Sequence, residues 1–219
     1  MMSGIHFDCG LDTTNKHEEV FMSEEMLIRC CAPTLAAIKT GSLFNCAFES
    51  QREMTESLRA VNHCLLRKGV TALPLRNRDG KALIYLCRID MLEADLRDPL
   101  AEAILREKGY PEGKPIRRIT HLMRRLRECD SFPHEIGLFL GYPPVDVRGF
   151  MEHKTCKCTG LWKVFESDEK EAQRYFARCR HCINAYLQRS REGWSLSRLT
   201  IQPRQFSYKK IPNERKESA

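Results

Sequence analysis

Hydrophobic positions fall along this chain in blocks of different period. Between Glu49 and Lys68, the residues Met54, Leu58, Val61 and Leu65 recur at helical spacing, which predicts an amphipathic helix stopped by Gly69. The run Ala82-Leu83-Ile84-Tyr85-Leu86-Cys87 is apolar without alternation, as in a strand covered on both faces. It follows Val70–Leu75 across Arg76-Asn77-Arg78-Asp79-Gly80, and Asp-Gly is a strong hairpin-turn signal. Ser42–Cys46 reads as a further short strand. Pro33, Lys39 and Gly41 have the order of first turn, last turn and stop in a short helix, which sets Cys31 at or just before its N-terminus.

Helical segments are expected over Ile89–Leu96, Pro99–Lys108 and Ile116–Cys129, separated by the breakers Asp98-Pro99 and Gly109-Tyr110-Pro111. The stretch from Phe132 to Pro143 is an apolar run between breakers and reads as a buried strand, with His134 and Glu135 on opposite faces. Val145–His153 resembles a short helix, Cys156–Gly160 a turn, and Leu161–Phe165 a strand. Asp168 is placed to cap a long helix reaching about Arg189. Residues 1–22 show no period and are expected to be loose. Residues 23–201 form a single α+β domain with a mostly antiparallel sheet, and 202–219 a disordered basic tail.

Composition narrows the class. The 219 residues, 42% of them hydrophobic, suffice for one full-sized domain, and no apolar run is long enough for a membrane span. Met1–Val20 is polar and mixed in charge, unlike a signal peptide. Eleven cysteines without an export signal point to reduced thiols and a cytoplasmic location. The net charge of +7 is concentrated in Lys114, Arg117, Arg118, Arg124, Arg125 and Arg127, with Arg215 and Lys216 in the tail. Such a run is either a solvated face or a dock for an acidic carrier protein, and without a recognised nucleic-acid motif a nucleic-acid partner is disfavoured.

Three groups of residues are suited to chemistry. Cys31 at a helix N-terminus would be acidified by unpaired amides, His134 would take its proton, and Asp146 or Glu135 would orient the ring. Cys156, Cys158, Cys179 and Cys182, with His153 and His181 nearby, would suit a four-thiolate structural zinc or an iron–sulfur cluster, the plainer reading being that Cys179 and Cys182 pack as small hydrophobes. Tyr142, Trp162, Phe165, Phe176 and Tyr186 read first as packing, with Tyr142 and Trp162 the candidates for substrate contact.

The order of cysteine helix, His-bearing strand and polar residue resembles that of papain-like thiol enzymes. The run His134–Gly141 is similar to the His-Val-Gly-Ile-Tyr-x-Gly strand of cell-wall peptidases of that superfamily, with one residue inserted after the His. Cys30-Cys31-Ala32-Pro33 replaces the usual Asp-Cys-Ser/Gly. Over about residues 25–190, Cys31–Lys39, Ser42–Cys46, Phe132-Pro-His-Glu-Ile-Gly-Leu-Phe-Leu-Gly-Tyr-Pro143, Asp146-Val147, Cys158-Thr-Gly and Trp162-Lys163-Val164 resemble a bacterial family of unknown function. That resemblance implies motif positions for Cys31, Cys46, His134, Glu135, Asp146, Cys158 and Trp162, and leaves Cys179 outside. The leading expectation is a cysteine-dependent acyl-transfer enzyme of papain-like arrangement, its cysteine-bearing helix packed on the sheet. It would act on a peptide or acyl-thioester and need no cofactor. The alternative is a metal-binding or redox-linked protein using the C-terminal thiols.

Overall fold

The computed structural model describes residues 22–128 and 132–202; residues 1–21, which include most of the segment expected to be loose, and the tail from 203 lie outside them. At the centre is β3 (Lys81–Arg88), paired antiparallel with β1 (Gly41–Ala47) on one side and β2 (Val70–Arg78) on the other. Its uninterrupted apolar sequence follows from that position. Ala82, Ile84 and Leu86 face one core, and Leu83, Tyr85 and Cys87 face the other. Asp79 (φ 52°) and Gly80 (φ 71°) are both left-handed, as a two-residue primed turn requires. At the β2 edge, the Asn62 side chain accepts from the Ala72 N–H at 2.8 Å and donates to its carbonyl at 2.9 Å.

One face of the sheet carries α1 (Glu24–Leu35), α2 (Gln51–Leu65), α8 (Glu169–Arg191) and α9 (Leu196–Leu199). The stripe of Met54, Leu58, Val61 and Leu65 is buried as its spacing requires, and the Asp168 side chain caps α8. Helix α1 corrects the sequence reading. Ser23 caps it, its hydroxyl accepting from the Met26 N–H at 3.2 Å, so the helix starts well before Pro33. Pro33 sits inside the last turns, where its missing N–H does not stop a helix already propagated through the preceding residues. Cys31 therefore lies in the helix interior, fully buried, and not at an N-terminus. The Arg88 guanidinium closes the helix end. It donates to the carbonyls of Thr34 and Leu35 at 2.7 Å, Ile201 at 2.8 Å and Lys68 at 2.9 Å.

The other face carries α3 (Ile89–Leu96), α4 (Pro99–Glu107), α5 (Pro115–Glu128), α6 (Ile136–Phe139) and α7 (Pro144–Met151). Here the second correction falls. Phe132–Pro143 is not a strand: it enters a helical turn at Pro133, whose carbonyl accepts from Ile136 N–H at 3.2 Å. It leaves through Gly141 (φ 76°). The Gly141 N–H meets the Leu138 carbonyl and the Tyr142 N–H the Gly137 carbonyl, a Schellman closure. A short apolar run buried on all sides has no period to distinguish strand from helix.

After α7, β4 (Cys158–Thr159) and β5 (Lys163–Val164) make a two-stranded ribbon, shorter than the strand expected over Leu161–Phe165. The ribbon packs on α8 through a small core of Trp162, Val164, Ala172 and Phe176. Gly160 is forced there, since a Cβ would lie 2.1 Å from the Phe176 ring. The class is α+β with a small antiparallel sheet covered by helices on both faces. No helix among the described residues is long and apolar enough to cross a membrane.

Candidate functional site

The α6 turn sends its two adjacent polar residues in different directions. Glu135 is 1% exposed, accepts from the Tyr110 hydroxyl at 2.9 Å, and lies 2.7 Å from Arg125 Nε. That N–H is misaligned for a hydrogen bond, so the contact is held by charge. His134 turns the other way, edge-on to the Phe150 ring with centroids 4.9 Å apart. Its pKa is held below the usual value, first by burial; the nearby charges of His153 and Lys108 lower it further and that of Glu135 opposes them.

Asp146, in the first turn of α7, is 2% exposed and saturated with donors. Its Oδ1 accepts from the N–H groups of Phe165 and Glu166 at 2.8 Å and of Ser167 at 3.1 Å. Its Oδ2 accepts from Trp162 Nε1 at 2.8 Å and from the Ser167 hydroxyl. Both oxygens are engaged in holding the 162–167 segment against α7, so Asp146 is a folding anchor and not the orienter of His134.

Between these elements lies a cavity of about 180 Å³. The α6 turn contributes Phe132, His134, Ile136 and Gly137, followed by Tyr142; α7 contributes Asp146, Val147 and Phe150; the ribbon contributes Thr159 to Lys163. The walls are mainly apolar. Gly137 belongs there because a Cβ would approach Val147 to 2.9 Å. Trp162 stands at the back, 4.6 Å from Phe176, 5.2 Å from Tyr142 and 5.5 Å from Tyr175 by ring centroids. Lys163 is exposed, with Nζ 5.7 Å from the Phe150 ring centre.

Four residues singled out from the sequence, His134, Tyr142, Asp146 and Trp162, thus meet at this cavity. Cys31 is not among them. It belongs to the core on the α1 face of the sheet, whereas Ile136 and Leu138 of α6 belong to the core on the opposite face. The groups acting on Cys31 are Cys30, Lys39 and Ser42, and those acting on His134 are Glu135, His153 and Lys108. Burial drives the Cys31 thiol well above its usual pKa, the opposite of the acidified thiol expected at a helix N-terminus.

The four-thiol group is also dispersed. Cys156 is exposed; Cys158 lies beside Glu169 and Gln173 in the first turns of α8; Cys179 and Cys182 are buried further along the same helix. From Gln173 to Cys179 the helix rises roughly 9 Å at about 1.5 Å per residue. Sulfurs sharing a zinc lie only about 4 Å apart, from bonds of about 2.3 Å. No group of three or more His, Cys, Asp or Glu suited to a metal ion occurs among the described residues. Two cations of the basic segment are structural. Arg118 is buried, donating to the Leu96 carbonyl at 3.1 Å, and Arg125 pairs with Glu135.

The sequence reading missed Val147, Phe150 and Lys163 as site residues. Their signal was present only as neighbours of Asp146 and Trp162, because the fold is needed to set α7 against the ribbon. It also missed Lys39, 9% exposed, with Nζ 5.3 Å from the Tyr142 ring centre and both Cys31 and Cys179 close enough to act on its charge.

No curated protein and no solved structure matches the chain. A family model covers residues 27–200, from the body of α1 to the end of α9. On that match the chain belongs to DUF3793, a family described as proteins of unknown function.

Proposed function

We propose that this protein binds a compact, largely apolar small molecule in the cavity between the α6 turn, α7 and the β4–β5 ribbon. The observation that carries the reading is the cavity itself, about 180 Å³, walled by Ile136, Val147, Phe150, Leu161 and Trp162 and containing His134. A cavity of roughly 150 Å³ accommodates a benzene ring, so the volume suits one ring or a short branched chain. A few polar groups in an apolar concavity are the usual form of a small-molecule site.

Acyl transfer through Cys31 and His134, in a papain-like arrangement, is supported less well. Cys31 lies in the core of one sheet face, the α6 residues that follow His134 pack in the core of the other, and the thiol is fully buried with a raised pKa. The metal-binding alternative lacks a converged donor set among the described residues.

The test is a fragment screen by ligand-observed NMR on the full chain and on Thr159→Trp. Thr159 is exposed at the rim, so an indole there covers the mouth without entering a core. Single-ring fragments that bind the parent and lose contact with the variant support the reading. A screen without hits, or hits indifferent to Thr159→Trp, overturns it.

A further inference from the structure

The polar groups facing the cavity are unequal in what they leave open. Asp146 lines it, but both carboxylate oxygens are filled by donors from Trp162 to Ser167. Glu135 points away, into its pairing with Arg125 and Tyr110. The two chargeable side chains that remain are basic, and both sit on Phe150: the His134 ring edge-on at 4.9 Å, and Lys163 Nζ at 5.7 Å. Among the described residues, neither His134 ring nitrogen has a hydrogen-bond partner and Lys163 pairs with no carboxylate. The imidazole is half-buried and its nitrogens keep contact with solvent, so a ligand in the cavity can take the place of water on the ring.

Building on the cavity reading, we infer that the ligand is an anion, a compact aromatic or branched-chain carboxylate whose charged end is met by His134 and Lys163, and that His134 takes up a proton as it binds. The apolar body would fill the space before Trp162, Ile136 and Val147. A carboxylate beside an imidazolium and an ammonium makes the shorter, stronger class of hydrogen bond. The proton comes from solvent and is retained on the ring; no covalent bond changes.

The charged groups around His134 set the direction. Burial, His153 and Lys108 lower its pKa in the free protein and Glu135 raises it, while Lys163 on β5 shares the Phe150 ring with it. The ring is therefore mostly neutral at pH 7, and a bound anion shifts it toward the charged form. By linkage, affinity for an anion falls as pH rises from the free pKa to that of the complex, by up to about tenfold per unit. A neutral ligand of the same shape gains nothing from the proton.

The experiment titrates full-length protein with phenylacetate and with phenylacetamide, its near-isosteric neutral amide, between pH 5.5 and 8.5. Calorimetry in two buffers of different ionisation enthalpy counts protons taken up. The expected result is phenylacetate binding that weakens at least threefold across the range, with net proton uptake, while phenylacetamide binding stays level. His134→Gln is expected to abolish the pH dependence of phenylacetate binding and the net proton uptake. Lys163→Met is expected to weaken phenylacetate several-fold at every pH. Equal, pH-independent binding of both probes overturns the anion inference and leaves the cavity reading standing. Failure of both probes to bind, in the parent at any pH, overturns the cavity reading and this inference with it.

Discussion

Asp146 offers the most direct test of how the site is held together. Replacing it with Ala removes the common acceptor of three backbone N–H groups, the Trp162 indole and the Ser167 hydroxyl. A hydrogen bond to a charged acceptor is worth about 1.5–3 kcal/mol, but such a set is far from additive. Glu166 is exposed and its N–H can be rehydrated, whereas Phe165, Ser167 and Trp162 are buried and leave orphaned donors. Loss of one partner from a buried charged set costs about 3–5 kcal/mol, so Asp146→Ala is expected near 4 kcal/mol.

Asp146→Asn is a finer probe. Its remaining oxygen can still accept the three backbone bonds, and Ser167 can rotate to accept from the new amide. The amide N–H₂ then faces the Trp162 N–H, two donors with nothing between them, at a cost of about 2 kcal/mol. The assay is urea unfolding followed by Trp162 emission in a Trp194→Phe background, since the chain has only two tryptophans. A midpoint shift at constant slope gives the energies. An Ala variant within about 0.5 kcal/mol of its parent, the range of an ordinary surface change, refutes the anchor.

Other consequences follow from the same structure. Burial lowers the Lys39 pKa from 10.5 to about 8, so the folded state binds fewer protons than the unfolded state between those values. The cost, about 3 kcal/mol at roughly 1.4 kcal/mol per unit, is present in full below pH 8 and relieved as pH rises toward 10.5. Lys39→Met should therefore be more stable than the parent at pH 7, with a gain that shrinks at pH 9.5; a gain that ignores pH, or a loss at pH 7, refutes this. Iodoacetamide should label exposed Cys64 and Cys156 in the native protein before Cys31, whose thiol is fully buried with a raised pKa. Labelling of Cys31 first would return it to the chemistry. Gly109 and Gly141 have nearly the same φ, 75° and 76°, but a Cβ meets nothing within 4 Å at Gly109 and lies 2.7 Å from Thr40 Oγ1 at Gly141. Ala at Gly109 should cost only the left-handed strain, about 1–2 kcal/mol, and Ala at Gly141 measurably more; equal unfolding midpoints would contradict the crowding.

What was legible in the sequence was whatever local periodicity or turn chemistry determines. The α2 stripe, the Asp79-Gly80 hairpin, the double-sided apolar run of β3 and the Asp168 cap all follow from spacing and from the conformations those residues favour. The short apolar elements did not, because burial on every side erases the polar positions that mark a period. Phe132–Pro143 thus read as a strand and is helical, and Pro33 read as a beginning and is near an end. Each error carried a functional expectation with it, since a His-bearing strand and an N-terminal thiol were the two halves of one proposed dyad. Tertiary structure alone decided which residues meet. The central strand puts Cys31 in the core of one sheet face and packs the α6 turn against the other, while a carboxylate in α7 draws in the 162–167 segment and closes a cavity around His134. Contacts between positions far apart in the chain depend on which side of the sheet each helix covers, and no local pattern of residues carries that information.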